Sequence, residues 1–236
     1  MTKTLTLLAL DTSSEGCSAA LWNNGQLSER FELAPRGHTR LLMPMIRQLL
    51  ADAGLVPADL DALAFARGPG SFTGLRIATG VIQGLAYGLE VPVVPVSSLA
   101  AVAADACEQL ALAEGDGVAV AFDARMDEVY LGGFEIRDGF PVAIAEERVC
   151  APEQVELPDG PQRWYGVGSG WQYRARMPEE VPAAMARIDD SLVPRAGWVA
   201  RLAAQSLARG EPGVAANDAQ PVYLRNTVAW KKLPGR

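Results

Sequence analysis

The chain alternates short apolar runs with polar breaks. Residues 4–10 form a nearly continuous apolar run ended by Asp11, which predicts a strand buried on both faces. Residues 17–22 predict a second strand, Asn23-Asn24-Gly25 a tight hairpin turn, and the alternation over 26–33 a third strand. Over 39–53 the spacing becomes helical. Leu41, Leu42, Met45, Ile46, Leu49 and Leu50 share one face, with Thr39 as cap, Pro44 early in the helix and Gly54 past its end. Residues 61–66 read as a buried strand and 72–89 as a second helix. Gly74, Gly80, Gly84 and Gly88 lie in that helix, and each interior glycine costs about 0.8–1 kcal/mol against alanine. Gly80, Gly84 and Gly88 recur every four residues, so they form one flat strip. The strand over 91–96 carries Pro92 and Pro95, which suits an edge or a short strand, and Ser97 or Ser98 caps an alanine-rich helix to about residue 113.

From residue 117 the pattern starts again. An apolar strand over 117–122 ends at Asp123, as the first strand ends at Asp11. Residues 128–136 predict a strand, Arg137-Asp138-Gly139 a turn like Asn23-Asn24-Gly25, and 140–149 a third strand. A short helix or turn at 152–157 precedes a strand over 163–167, and Gly168-Ser169-Gly170 echoes Gly70-Ser71. The last helix covers 194–209, with Trp198, Leu202 and Leu207 expected toward the core. This repeated order implies an internal duplication, divided as 1–113 and 114–222 with a basic tail over 223–236. The expected fold is α/β, with two similar lobes of actin-like ATPase (RNase H-like) architecture, each a mixed β-sheet with helices. That likeness concerns the fold and does not bring ATP hydrolysis with it.

The densest stretch is R-G-P-G-S-F-T-G-L-R-I at 67–77. It joins a predicted strand to a predicted helix, so it is a tight turn with Gly68 and Gly70 available for positive φ or close backbone approach. Ser71 or Thr73 can cap the helix. No Gly-Lys-Ser/Thr follows and Gly74 comes one place too late for G-x-G-x-x-G, so neither nucleotide fingerprint is present. Two readings stand: a helix end that receives an anion or a partner loop, or a turn that only packs a helix on a sheet.

This motif, together with L-A-L-D-T-S at 8–13, F-D-A-R-M-D-E-V-Y at 122–130 and Y-L-R-N at 223–226, resembles the TsaB (YeaZ) family along the whole chain. The resemblance implies a non-catalytic partner protein in making threonylcarbamoyladenosine on tRNA, at the adenosine next to the anticodon. It implies a heterodimer with a catalytic relative, TsaD, help from the small ATPase TsaE, and a homodimer when alone. It further implies tRNA contact only within the complex and no cofactor of its own, a separate synthase supplying the threonylcarbamoyl-adenylate. TsaD is implied to bind metal through paired histidines. This chain has a single histidine, His38, so no metal site is expected and no glycoprotease activity carries over.

Composition narrows the alternatives. The 236 residues are 49% apolar and 21% charged, enough for a full core. The net charge is −7 and the pI about 4.9, which argues against gripping an RNA backbone unaided. Cys17, Cys107 and Cys150 are scattered and form no C-x-x-C, as suits a reducing cytoplasm. The opening apolar run is too short for a signal peptide, and no run approaches the roughly 20 residues that span a bilayer. The expectation is a cytoplasmic protein with no membrane contact.

The candidate chemistry falls into two groups. A nucleotide or anion cleft would use Asp11, Thr12 and Ser13, the turn residues Gly68, Gly70 and Ser71, and Asp123 with Arg125. Asp11 and Asp123 either order Mg²⁺ and water across a cleft or form Asx-turns at strand ends. Arg67, Arg76 and Arg125 can each hold a phosphate or pair with a carboxylate. His38 reads as a helix-entry or surface residue, or else a general base. A partner or dimer interface would use Leu41, Leu42, Met45, Ile46 and Leu49 beside Gly74, Gly80, Gly84 and Gly88, a bulky face next to a flat one. In the tail, Trp230 beside Lys231 and Lys232 can stack on RNA; the alternatives are a flexible solubilising tail or one that docks on a partner protein. The rival to a partner protein is a small actin-like ATPase or small-molecule kinase built on Asp11 and Asp123. A metalloprotease is a third reading, opposed by the single histidine.

Overall fold

The computed structural model describes residues 5–225. Strands β1 (Thr6–Asp11), β2 (Gly16–Asn23) and β3 (Gln26–Leu33) are antiparallel neighbours. Helix α1 (His38–Asp52) leads to β4 (Ala62–Gly68), and α2 (Phe72–Leu89) leads to β5 (Val93–Ser97). β4 lies parallel to β1, and β5 parallel to β4, giving the sheet order β3-β2-β1-β4-β5. Helix α3 (Ser98–Gln109) then opens the second half: β6 (Gly117–Arg125), β7 (Glu128–Arg137), β8 (Phe140–Ala143), β9 (Arg148–Cys150), β10 (Trp164–Val167), α4 (Glu180–Ala183) and β11 (Met185–Asp189). Its sheet runs β11-β10-β6-β7-β8, with β9 also on β7. In both sheets the first three strands are antiparallel and the last two parallel to the first, so the duplication read from the sequence is present in the hydrogen bonding.

Pleat alternation explains the layers. All six residues of β1 are buried: Leu8 and Leu10 point to the α1 and α2 side, Leu7 and Ala9 to the opposite face. That opposite face is covered by α5 (Ala196–Ala208), which follows the second sheet in sequence yet packs on the first. The expected second lobe, 114–222, included this helix. Its fully buried face is Ala196, Val199, Ala200 and Ala203, and the expected Trp198, Leu202 and Leu207 pack partly buried against the same core. Small residues win there because they let the helix approach the sheet closely. The first turn of α5 is held by the first lobe: Ala196 N–H donates to Ser18 Oγ (2.9 Å) and Gly197 N–H to Glu29 Oε1 (2.8 Å). α3 lies between the sheets and packs Leu99, Val102, Ala103 and Ala106 on the second.

Other boundaries moved for local reasons. The expected strand over 140–149 is two short strands, β8 and β9, because Glu147 turns inward to accept a hydrogen bond from Ser97 Oγ. β5 is the edge its prolines suggested. α4 and β11 went unread: α4 is only four residues, and β11 is half-exposed, leaving no clear period. Trp230, Lys231 and Lys232 lie outside the described residues.

Candidate functional site

The first lobe's glycine turn closes on the turn after β1. Ser71 caps α2, its Oγ accepting from Gly74 N–H at 3.3 Å. Ser71 N–H donates to the Ser13 carbonyl at 2.7 Å, and Thr12 Oγ1 donates to the Gly74 carbonyl at 2.7 Å. Gly70 and Gly74 are required by proximity, since a Cβ at either would overlap the carbonyl oxygen of Ser13 or Thr12. Gly68 is required by conformation, with φ at +108°, and the Gly68–Pro69 peptide is cis. Asp11, Thr12 and Ser13 are therefore buried. Asp11 Oδ1 accepts from Ser13 N–H (2.7 Å) and Ser13 Oγ (3.0 Å), an Asx-turn. Burial raises the Asp11 carboxyl to about 7, against the lowering effect of the Ser13 hydrogen bonds.

His38 completes this seal. Its Nε2 lies 3.0 Å from the Ser14 carbonyl and 3.2 Å from that of Gly16, so this nitrogen carries the proton and donates. His38 is a helix-entry residue, as expected, but buried and not at the surface.

The second lobe's equivalent turn is more open. Asp123 Oδ1 accepts from Arg125 N–H at 2.8 Å, again an Asx-turn, and Arg125 itself is exposed with its guanidinium 3.3 Å from the Asp123 carboxylate. Ser169 Oγ accepts from Asp123 N–H at 3.1 Å. Arg125, Met126 and Asp127 all have positive φ (63°, 57° and 60°). Arg76 is engaged within the chain: its Nε donates to Tyr223 Oη at 3.2 Å and its guanidinium stacks 3.9 Å above Phe72.

The expected interface divides in two. Leu42, Met45, Ile46 and Leu49 are buried in the chain's own core against β1, β2 and β4, and Leu41 is half-buried. The large apolar face of α1 is thus used inside the monomer, which corrects its reading as an outward surface. Gly74 is likewise buried under Thr12. Gly80, Gly84 and Gly88 are the opposite case: all three are exposed, and a Cβ at each would meet nothing within 4 Å. Phe72, 54% exposed, and Tyr87, 78% exposed, lie on the same helix. Sequence reasoning missed these two aromatics, because apolar spacing groups residues by face without saying which face is bare.

Two cavities lie elsewhere. One, of about 330 Å³, is lined by Gly132, Gly133, Glu147 and Leu157; the other, of about 640 Å³, by Trp22, Phe140, Trp198 and Arg201. Neither includes Asp11 or Asp123. Among the described residues no three His, Cys, Asp or Glu side chains gather as metal ligands, and no helix is long and apolar enough to cross a membrane.

Two sheets with the same order of their five main strands, joined by a shared helix and each carrying a carboxylate at the end of its first strand, define a two-lobed protein of the actin-like class. The family model described as "TsaD: tRNA N6-adenosine threonylcarbamoyltransferase" matches residues 31–231. The chain belongs to the TsaB (YeaZ) family within that wider group. It is 42% identical to the tRNA threonylcarbamoyladenosine biosynthesis protein TsaB of Haemophilus influenzae over 240 residues, 98% of each chain. It is also 42% identical to the protein of that name from Escherichia coli over 234 residues, 98% of this chain and 99% of that one. Among solved structures, YeaZ from Pseudomonas aeruginosa matches with a TM-score of 0.87 and 47% identity, covering 93% of this chain and 100% of that one.

Proposed function

We propose that the chain is the non-catalytic partner subunit of a complex that forms threonylcarbamoyladenosine on tRNA, and that it docks on TsaD through the outer face of α2. The observation that carries this is the bare glycine strip. Three interior glycines weaken a helix by about 0.8–1 kcal/mol each, and among the described residues nothing occupies the space they leave. A partner helix lying on the strip would reach the α2 backbone closely, with Phe72 and Tyr87 as aromatic anchors beside it. The same face serves a homodimer when TsaD is absent. TsaE joins the pair, and tRNA is met only in the assembly, in keeping with a net charge of −7. The setting is the cytoplasm.

The non-catalytic reading draws on two features. One histidine in the whole sequence cannot supply the histidine pair implied for TsaD, so the residues present do not fit that metal. Asp11, which a kinase or ATPase reading needs at its ligand, is fully buried and occupied by Ser13. The decisive test is Gly84→Leu. The site is open and leucine is the better helix former, so the variant should fold at least as stably as the parent. It should lose homodimerisation and TsaD co-elution in sedimentation and size-exclusion runs, and drop tRNA modification in the reconstituted reaction to background. A folded Gly84→Leu protein that pairs normally would remove α2 from the interface. Met45→Glu is no substitute, because Met45 is in the core.

A further inference from the structure

We propose that residues 219–225 form an inter-lobe latch, with Arg225 as its bolt, that ties the two lobes together and holds the second lobe's 125–127 turn in its left-handed conformation. The chain reaches this position from the first lobe. After α5 it pairs with β5, Val93 and Val214 exchanging hydrogen bonds of 2.9 and 2.7 Å. Ala219 is buried in the first core, and its carbonyl accepts from Gln83 Nε2 at 3.0 Å. Val222 N–H donates to the Arg67 carbonyl at 2.8 Å, beside the glycine turn, and Tyr223 packs on Phe72 with ring centroids 5.3 Å apart.

Two residues later the segment crosses to the other lobe. The Arg225 guanidinium donates to the Ala124 carbonyl (3.1 Å), the Arg125 carbonyl (3.3 Å) and the Glu128 carboxylate, and another of its nitrogens lies 3.6 Å from Met126 Sδ. One guanidinium nitrogen thus reaches both ends of a turn whose three central residues, none of them glycine, all have positive φ. The bolt is 18% exposed and Glu128 36% exposed, so the contact is shielded without being buried in a core. The turn's other ties come from within its own lobe: Asp123 to Arg125 within the turn itself, Asp123 N–H to Ser169 Oγ at 3.1 Å, and Arg176 to Asp127 at 3.5 Å with the carboxylate 77% exposed. Arg225 is the group that brings the first lobe's chain to this turn. With the bolt in place the segment from the first lobe is anchored on backbone carbonyls of the second; with it released the turn is left to its own ties.

Hydrogen–deuterium exchange on the full chain tests the latch. Arg225→Ala and Glu128→Gln should each raise amide exchange in peptides covering 122–130 at least tenfold while leaving the peptides of Thr6–Asp11 and Ala62–Gly68 at wild-type rates. Wild-type exchange over 122–130 in either variant would overturn the proposal. So would a rise of equal size in Thr6–Asp11, which would mark general destabilisation and not a latch.

Discussion

The two strand-end turns occupy equivalent places in two sheets of the same topology, yet they are held in opposite ways. The turn after β1 is sealed by its own lobe: Ser71, Gly74 and His38 all bond to it, and Asp11, Thr12 and Ser13 are buried. The turn after β6 keeps the same Asx geometry at Asp123 but stands half-open, three left-handed residues long, and takes its strongest outside contact from Arg225 near the end of the described chain. Duplication supplied two similar strand-end carboxylates. The first has become an internal fastening, and the second remains at a surface that another part of the chain controls. An actin-like architecture therefore does not imply an actin-like site: what matters is whether the strand-end carboxylates face open space.

The largest expected effect tests the seal of the first turn through pH. Asp11 titrates near 3.8 when unfolded and is raised to about 7 in the fold, so between those values the folded state holds the extra proton. Stability from this group is present at low pH and lost as pH rises through about 7. At about 1.4 kcal/mol per pH unit the displacement amounts to several kcal/mol. Asp11→Asn keeps an Oδ1 acceptor for Ser13 and removes the titration. Relative to the parent, the variant should gain stability by several kcal/mol between pH 4.5 and 8, read from urea midpoints at both values. Parallel pH profiles for the two proteins would mean that Asp11 is solvated and the first turn is not sealed.

Next in size is Gly74→Ala. The added methyl would overlap the Thr12 carbonyl, and a core overpacked against backbone loses about 1–3 kcal/mol. Urea unfolding measures it directly. On the same helix, Gly84→Ala fills empty space and should stabilise by about 0.8–1 kcal/mol, the helix-propensity difference alone. Opposite signs for one substitution ten residues apart would show that α2 faces the sealed turn at one end and open solvent along its glycine strip. A destabilised Gly84→Ala would mean the strip is already covered.

Much of this was legible in the sequence, and the limits have physical reasons. β1 could be read because a strand buried on both faces must be apolar throughout, and the Asn23-Asn24-Gly25 turn because few residue types accept its backbone angles. Helix α2 matched the expected span, since Ser71 caps it and the apolar spacing runs its length. The direction of its glycine strip was not legible, because a period of four marks a shared face without saying what lies opposite. The fate of Leu42, Met45, Ile46 and Leu49 was hidden for the same reason: their number fits a deep core as well as an interface. α5 crossing to the first sheet and Arg225 reaching Glu128, 97 positions away, are tertiary pairings that no local pattern encodes. Asp11 and Asp123 read alike in sequence and differ in burial and in the side chains that reach them.

The smallest effect completes the comparison. Asp123→Ala removes the acceptor for Arg125 N–H and the 3.4 Å contact from Tyr173 Oη, at a side chain 17% exposed. Water can replace both partners at a half-open turn, so the loss should be no more than about 1 kcal/mol, the net worth of one ordinary hydrogen bond. The 125–127 turn should survive it, because Arg225 still grips the Ala124 and Arg125 carbonyls and Glu128. Urea unfolding at pH 7 gives the stability change, and amide exchange over 122–130 reports the turn. If Asp123→Ala costs as much as Gly74→Ala, the second turn is sealed like the first, and the contrast between the lobes fails. If the stability change is small but exchange over 122–130 rises tenfold, Asp123 and not Arg225 holds the turn, and the division of labour between carboxylate and latch is reversed.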